Sequence, residues 1–190
     1  LIPQIVGAVQ AVQINSTFGV SSFVDKPVSP FGAPGEWVYQ QQLALTTDAA
    51  ALSATYTAMS ILNGMDGPEA QIEALMQLAL HSADVGFRPD SARFVVLFTD
   101  APFHLAGDGA LGGILTANNG DALFPGGGAL EDYPSIAQLQ AALAAANIIP
   151  IFAVAGGFET TYQDLATQLG RGAVVTLTAN SSNIVDAITA

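Results

Sequence analysis

Four runs of β-branched and aromatic residues, with amphipathic segments between them, constrain this chain more than any other feature. They are "FGVSSFV" (18–24), "RFVVLFT" (93–99), "IIPIFAVA" (148–155) and "AVVTLTA" (173–179), each of strand length. None alternates strictly between apolar and polar residues, which is the pattern of a strand buried on both faces. A weaker run, "VYQQQLALT" (38–46), alternates in part and suits a sheet edge. Helical apolar stripes occupy 2–12, 68–83, 134–147, 160–170 and 181–190, and 48–61 reads as helix as well. Helices alternating with buried strands predict an α/β fold, a doubly wound, mostly parallel sheet flanked by helices. No internal repeat or linker-like tract interrupts the pattern, and the glycine-rich stretches 107–114 and 124–132 read as loops, so residues 1–190 form one domain.

Composition narrows the partners. At 190 residues and 51% apolar content the chain can bury a sizeable core. Four basic residues against sixteen acidic ones give a net charge of −12, which argues against nucleic acid and anionic membranes and favours bound cations. The absence of cysteine excludes a disulfide framework and thiolate metal sites. No apolar run reaches the roughly 18 residues of a membrane span, so no membrane insertion by this segment is expected. The opening "LIPQIVGAVQ" has no basic region and breaks at Pro3, unlike a signal peptide.

Ligands of open parallel sheets collect beyond the carboxyl ends of the strands. Asp25 follows the first run directly and Asp100 follows the second. Asp66 and Glu69 crowd into "NGMDGPEA" (63–70), ahead of an apolar-striped helix. That octapeptide has two readings. Pro68 near the first helical position and Glu69 at the positive end of the dipole would start a helix. Clustered carboxylates short of basic partners would instead bind a hard divalent cation, which takes carboxylate and carbonyl oxygens. His81, late in a helix, and His104, in a loop, read as ordinary residues, with no second ligand at metal spacing. There is no G-x-S-x-G elbow, P-loop, G-x-G-x-x-G after the first strand, or triad spacing, and no enzyme is expected.

Taken as whole phrases, "SSFVDKPVSPF" (21–31), "MDGPEAQIEALMQ" (65–77), "LFTDAPFHLAGDGALGGI" (97–114), "DYPSIAQLQAALAAANIIPIFAV" (132–154) and "LTANSSNIVDAI" (177–188) resemble the I-like domain of integrin beta subunits, a von Willebrand factor type A fold. The resemblance implies divalent cations on the top face of the sheet. Glu69 and Asp100 match ligands of the central adhesion site, which takes Mg²⁺ or Mn²⁺. Asp25, Asp66, the Pro68 carbonyl and Glu69 match a neighbouring Ca²⁺ site. Its asparagine ligand falls at Gly64, with Asn63 one residue early. The central first strand and its D-x-S-x-S loop have no counterpart, so the domain is expected to be N-terminally incomplete. Without that loop the adhesion site should bind Mg²⁺ poorly.

By the same resemblance the chain is a cation-dependent adhesion or protein-interaction module, extracellular or at a cell surface. It would bind a protein ligand through a metal-coordinated carboxylate and sit beside a beta-propeller-type partner. The lack of cysteine and the shortened specificity loop "GAPGEW" (32–37) suggest a bacterial relative. The alternative is a calcium-braced structural domain with no ligand at the metal.

Overall fold

A computed structural model describes residues 2–122, 130–178, 183 and 185. Most of the expected helix over 181–190, and most of the expected loop over 124–132, lies outside them. In chain order come α1 (Ile2–Val12), β1 (Phe18–Ser22), β2 (Gln40–Thr46), α2 (Ala49–Ala58), α3 (Gln71–Leu80) and the short α4 (Ser82–Val85). Then follow β3 (Arg93–Thr99), a 3₁₀ turn (Asp108–Gly112), α5 (Ile136–Ala145), β4 (Ile148–Val154), α6 (Glu159–Leu169) and β5 (Ala173–Thr176). All five expected strands form, and none of the helices α4, α5 or α6 is long and apolar enough to cross a membrane, nor is any other described helix.

The parallel sheet has the order β3-β4-β5, in register from Arg93 against Ile148 to Thr99 against Val154, and from Ile151 against Ala173 to Val154 against Thr176. Its two faces are covered by different elements. Leu97, Phe152 and Val154 point into the main core, with Leu75 and Met76 of α3, Leu139 and Leu143 of α5, and Tyr162 and Leu165 of α6. Val96, Ala153 and Val175 point the other way, where Ile5 of α1 and Leu177 pack on them. This is the doubly wound arrangement, produced by the two-residue side-chain period of each strand. The start of α5 is secured by a capping box, in which Ser135 and Gln138 satisfy each other's backbone amides.

The sheet differs from the expectation in its division. β1 and β2 form an antiparallel pair of their own, and among the described residues no ladder joins β1 to β3. Phe23, Tyr39 and Leu45, in and beside that pair, nevertheless pack against the same main core cluster. Burial follows this topology. Among the described residues only β4, flanked on both sides, is largely buried, whereas β3, paired on one side there, leaves Phe94 and Phe98 54% and 45% exposed.

Candidate metal centre

Three loops meet above the strand ends: 23–31 after β1, 59–70 before α3, and 100–107 after β3. Backbone hydrogen bonds stitch them together. Met65 N–H donates to the Phe31 carbonyl (2.7 Å), Glu69 to Pro102 (3.0 Å), Ala70 to Val24 (3.0 Å) and His104 to Glu69 (3.0 Å). These bonds bear on the helix-start reading of "NGMDGPEA". The helix starts only at Gln71, its N-cap Ala70 makes no side-chain cap, and Pro68 is three residues short of the first helical position. The octapeptide is a loop held from outside, so neither Pro68 nor Glu69 caps α3 as the helix-start reading had it.

Asp25 is fully buried. Its Oδ1 accepts from the Tyr133 hydroxyl at 2.5 Å and from the Lys26 amide at 2.7 Å, while Oδ2 has no hydrogen-bond partner. Burial pushes its carboxyl up to about 6 in spite of those two donors. Asp66 places Oδ2 at 3.1 Å from His104 Nε2, and its buried Oδ1 has no partner. Glu69 carries a third buried, unpartnered carboxylate oxygen, Oε2. Its carboxyl is pushed up to about 8, first by burial and then by the charges of Asp25, Asp66, Glu36 and Asp100. The chain's single lysine gives no relief. Lys26 Nζ is drawn to Glu73 of α3 at 2.6 Å, with both side chains fully buried and the ammonium 4.5 Å from the Tyr133 ring centre.

His104 sits at the centre of this acidic pocket, only 2% exposed. It stacks on Tyr133 with ring centres 4.5 Å apart and meets the edge of Phe31 at 5.1 Å. Nε2 lies 3.1 Å from Asp66 and 3.5 Å from Asp25 Oδ2, and Nδ1 lies 3.1 Å from Asp108 Oδ2. Asp108 is itself fixed by the Leu105 amide at 2.9 Å. Asp132 ties the loop to the α5 end by accepting from Gly107 and Gly109 at 2.5 and 2.7 Å.

Asp25, Asp66 and His104 thus bring one donor atom each within 4.8 Å of one another. Glu69 adjoins them electrostatically, and half-buried Pro68 lies between it and Asp66. Asn63 is exposed and outside the group, whereas Gly64 faces the site. A Cβ on Gly64, whose φ is +63°, would lie 2.9 Å from both Glu69 carboxylate oxygens. Asp100 stands exposed at the end of β3, close enough for its charge to act on Glu69 but not in the three-residue group. His104, which reads from the sequence as an ordinary loop residue, is the one that the structure adds to the group. The signal was Asp108 four positions on in "FHLAGDG", an acid able to hold one ring nitrogen while the other faces strand-end acids.

Three buried carboxylate oxygens without donors fit a divalent cation, since buried charge is stable only when paired or coordinated. The residues that could hold one are Asp25, Asp66, Glu69 and His104.

The family model for the integrin beta chain VWA domain matches residues 1–190. The chain is 34% identical to integrin beta-7 of Homo sapiens over 94% of its own length, and 35% identical to integrin beta-1-B of Xenopus laevis over 93%. It is 33% identical to integrin beta-2 of Sus scrofa over 95% of its length. It spans about a quarter of the length of each of these curated relatives.

Proposed function

The chain belongs to the integrin beta chain VWA domain family, and from that premise we propose that it is a cation-dependent adhesion module, not an enzyme, acting at a cell surface. The observation that carries this reading is the set of orphaned carboxylate oxygens on Asp25, Asp66 and Glu69 where three loops converge. A divalent cation there, with Ca²⁺ the ion the family implies, would be held by Asp25, Asp66, Glu69 and the Pro68 carbonyl, with Asn63 or its neighbour Gly64 at the rim. A second cation, Mg²⁺ or Mn²⁺, would be held by Glu69 and the exposed Asp100. It supplies a positive charge for a carboxylate on a protein ligand. In this reading a further strand bearing D-x-S-x-S lies between β1 and β3 and completes the adhesion site. The lack of a ladder between β1 and β3 among the described residues supports that position. A beta-propeller-type neighbour and a bacterial source belong to the same proposal.

Selection from a displayed peptide library in the presence of Mn²⁺, with a chelator control, tests it. Enriched peptides should carry an Asp or Glu whose replacement by Asn or Gln abolishes binding. Peptides that bind equally in chelator, or without a carboxylate, would sink the adhesion reading. The depth of the Asp25 and His104 side chains favours one alternative, a cation that braces the loops without touching a partner. Under that alternative Ca²⁺ still raises the melting temperature. At a hundredfold excess over Kd it adds about 2.7 kcal/mol, roughly 5–10 °C for a domain of this size, and no carboxylate peptide is enriched.

A further inference from the structure

We propose that Asn63 is a self-modification site, where the folded chain loses a side-chain amide and gains an aspartate in normal or iso linkage. The same fold protects Asn119, which stands in the chain's other Asn–Gly pair.

The chemistry needs only water. The Gly64 backbone nitrogen attacks the Asn63 side-chain carbonyl carbon, and a new N–Cγ bond forms as that nitrogen gives up its proton. The Cγ–Nδ2 bond breaks and ammonia leaves, which closes a five-membered succinimide. Water then adds to one of the two ring carbonyls and opens the ring. Opening at the side-chain carbonyl gives aspartate, and opening at the backbone carbonyl gives isoaspartate. One water is consumed and one ammonia released, with no oxidation or reduction. Glycine favours the closure because it has no Cβ to crowd the attacking nitrogen.

Both asparagines are exposed, so access to water does not separate them. Hydrogen bonding does. Asn119 Nδ2 donates to Asp121 Oδ2 at 3.0 Å and to Glu131 Oε1 at 2.9 Å, and its Oδ1 accepts from the Asp121 amide at 2.8 Å. The Gly120 N–H that would have to attack is turned away to Asn118 Oδ1 at 2.9 Å. Around Asn63 nothing comparable exists. Met59 N–H bonds back to Tyr56 and Met65 N–H bonds across to Phe31. Between them, residues 60–64 neither donate nor accept a hydrogen bond among the described residues. The Asn63 carboxamide and the Gly64 N–H are therefore both unrestrained.

The fold also keeps the reactive pair in place. Gly64 has φ +63°, and a Cβ there would lie 2.9 Å from both Glu69 carboxylate oxygens, so glycine is the residue this position accepts. Conversion adds a negative charge to the residue preceding that contact, in a loop already crowded with carboxylates.

The test ages the native protein in mildly alkaline buffer, with a parallel sample unfolded in guanidinium chloride. Fragments cut after Arg93 and Arg171 separate the two asparagines, and tandem mass spectrometry reads amide against carboxylate at each. In the native protein Asn63 should convert at least about tenfold faster than Asn119, which must first break its local bonds. In the unfolded chain the two rates should be nearly equal. Equal rates in the native protein overturn the proposal, as does an Asn63 that stays amidated while the unfolded chain converts. A rate difference of the same size in guanidinium overturns it too, since the fold would then not be its cause. Labelling aged native protein with S-adenosylmethionine and an isoaspartyl methyltransferase gives a second readout. Asn63→Gln should lose most of the label, and undiminished labelling of that variant places the reaction elsewhere and overturns the assignment.

Discussion

Lys26 and Glu73 show how far the interior of this domain departs from an apolar filling. Their ion pair is 2.6 Å long and has no solvent contact on either side. Burial beside α3 commits the lysine's charge to Glu73 and not to Asp25 or Asp66. Burial still pushes the Glu73 carboxyl up to about 7 against the pull of Lys26. Removing one partner of a buried pair leaves an uncompensated charge, so Lys26→Met should destabilise the fold by about 3–5 kcal/mol. Adding Glu73→Leu should recover much of that loss. Urea unfolding of the single and double variants measures both, and a single variant within about 0.5 kcal/mol of the native sequence would show that the pair is not buried as described. At this scale the sequence was readable where a residue's place along a strand decides its role. Asp25 was placed that way, directly after the first strand run, and the structure sets it among the converging loops. His104 was not, because its partners come from positions 25, 66 and 108, and only the folded loops bring those together. Asn63 and Gly64, adjacent in one turn, differ in the same way: the first is exposed, and the second lies against the Glu69 carboxylate.

Among the elements, α3 carries the greatest burden. Nine of its ten residues are buried, including Gln71, Glu73 and Gln77. The polar three are ties. Gln71 donates to Thr99 Oγ1 at 3.0 Å, Glu73 takes Lys26, and Gln77 donates to the Asp121 carbonyl at 3.1 Å. An amphipathic stripe predicts a helix with one wet face, so this all-round burial was not legible from periodicity, although the existence of the helix was. Its start was misplaced, since bonds from Glu69 and Ala70 to Pro102 and Val24 hold the preceding loop out of helical geometry. The strands were read with fewer errors because β-branched runs of that length have few alternatives. Their grouping into two sheets was invisible, since a strand's own residues do not name its neighbour. Because α3 is enclosed, Leu75→Ala, at 2% exposure, should cost about 2–5 kcal/mol, whereas Leu80→Ala, at 37%, should cost under about 1 kcal/mol. Chemical unfolding of the pair checks this, and similar losses at the two positions would mean that α3 is not enclosed.

For the whole molecule the governing quantity is a surplus of twelve negative charges, part of it folded inward. Glu69 is raised from an ordinary 4.5 to about 8 and Asp25 from 3.8 to about 6, in each case chiefly by burial. Between the ordinary and the raised values the folded chain binds more protons than the unfolded one, so stability falls as pH rises through that interval. For Asp25 the loss runs from about pH 4 to 6, and for Glu69 from about pH 4.5 to 8. A divalent cation competes for the same oxygens, replacing the proton as the charge that makes their burial tolerable. Without cations the melting temperature should therefore decline from pH 5 to pH 8, and saturating Ca²⁺ should flatten the decline, so that its stabilising effect is largest at pH 8. Thermal unfolding across that range, in chelator and in Ca²⁺, measures the difference directly. Parallel curves would mean that the cation binds elsewhere than at Asp25 and Glu69. A widening gap that disappears in Glu69→Gln would tie the charge buried at the loop junction to the ion that stabilises it.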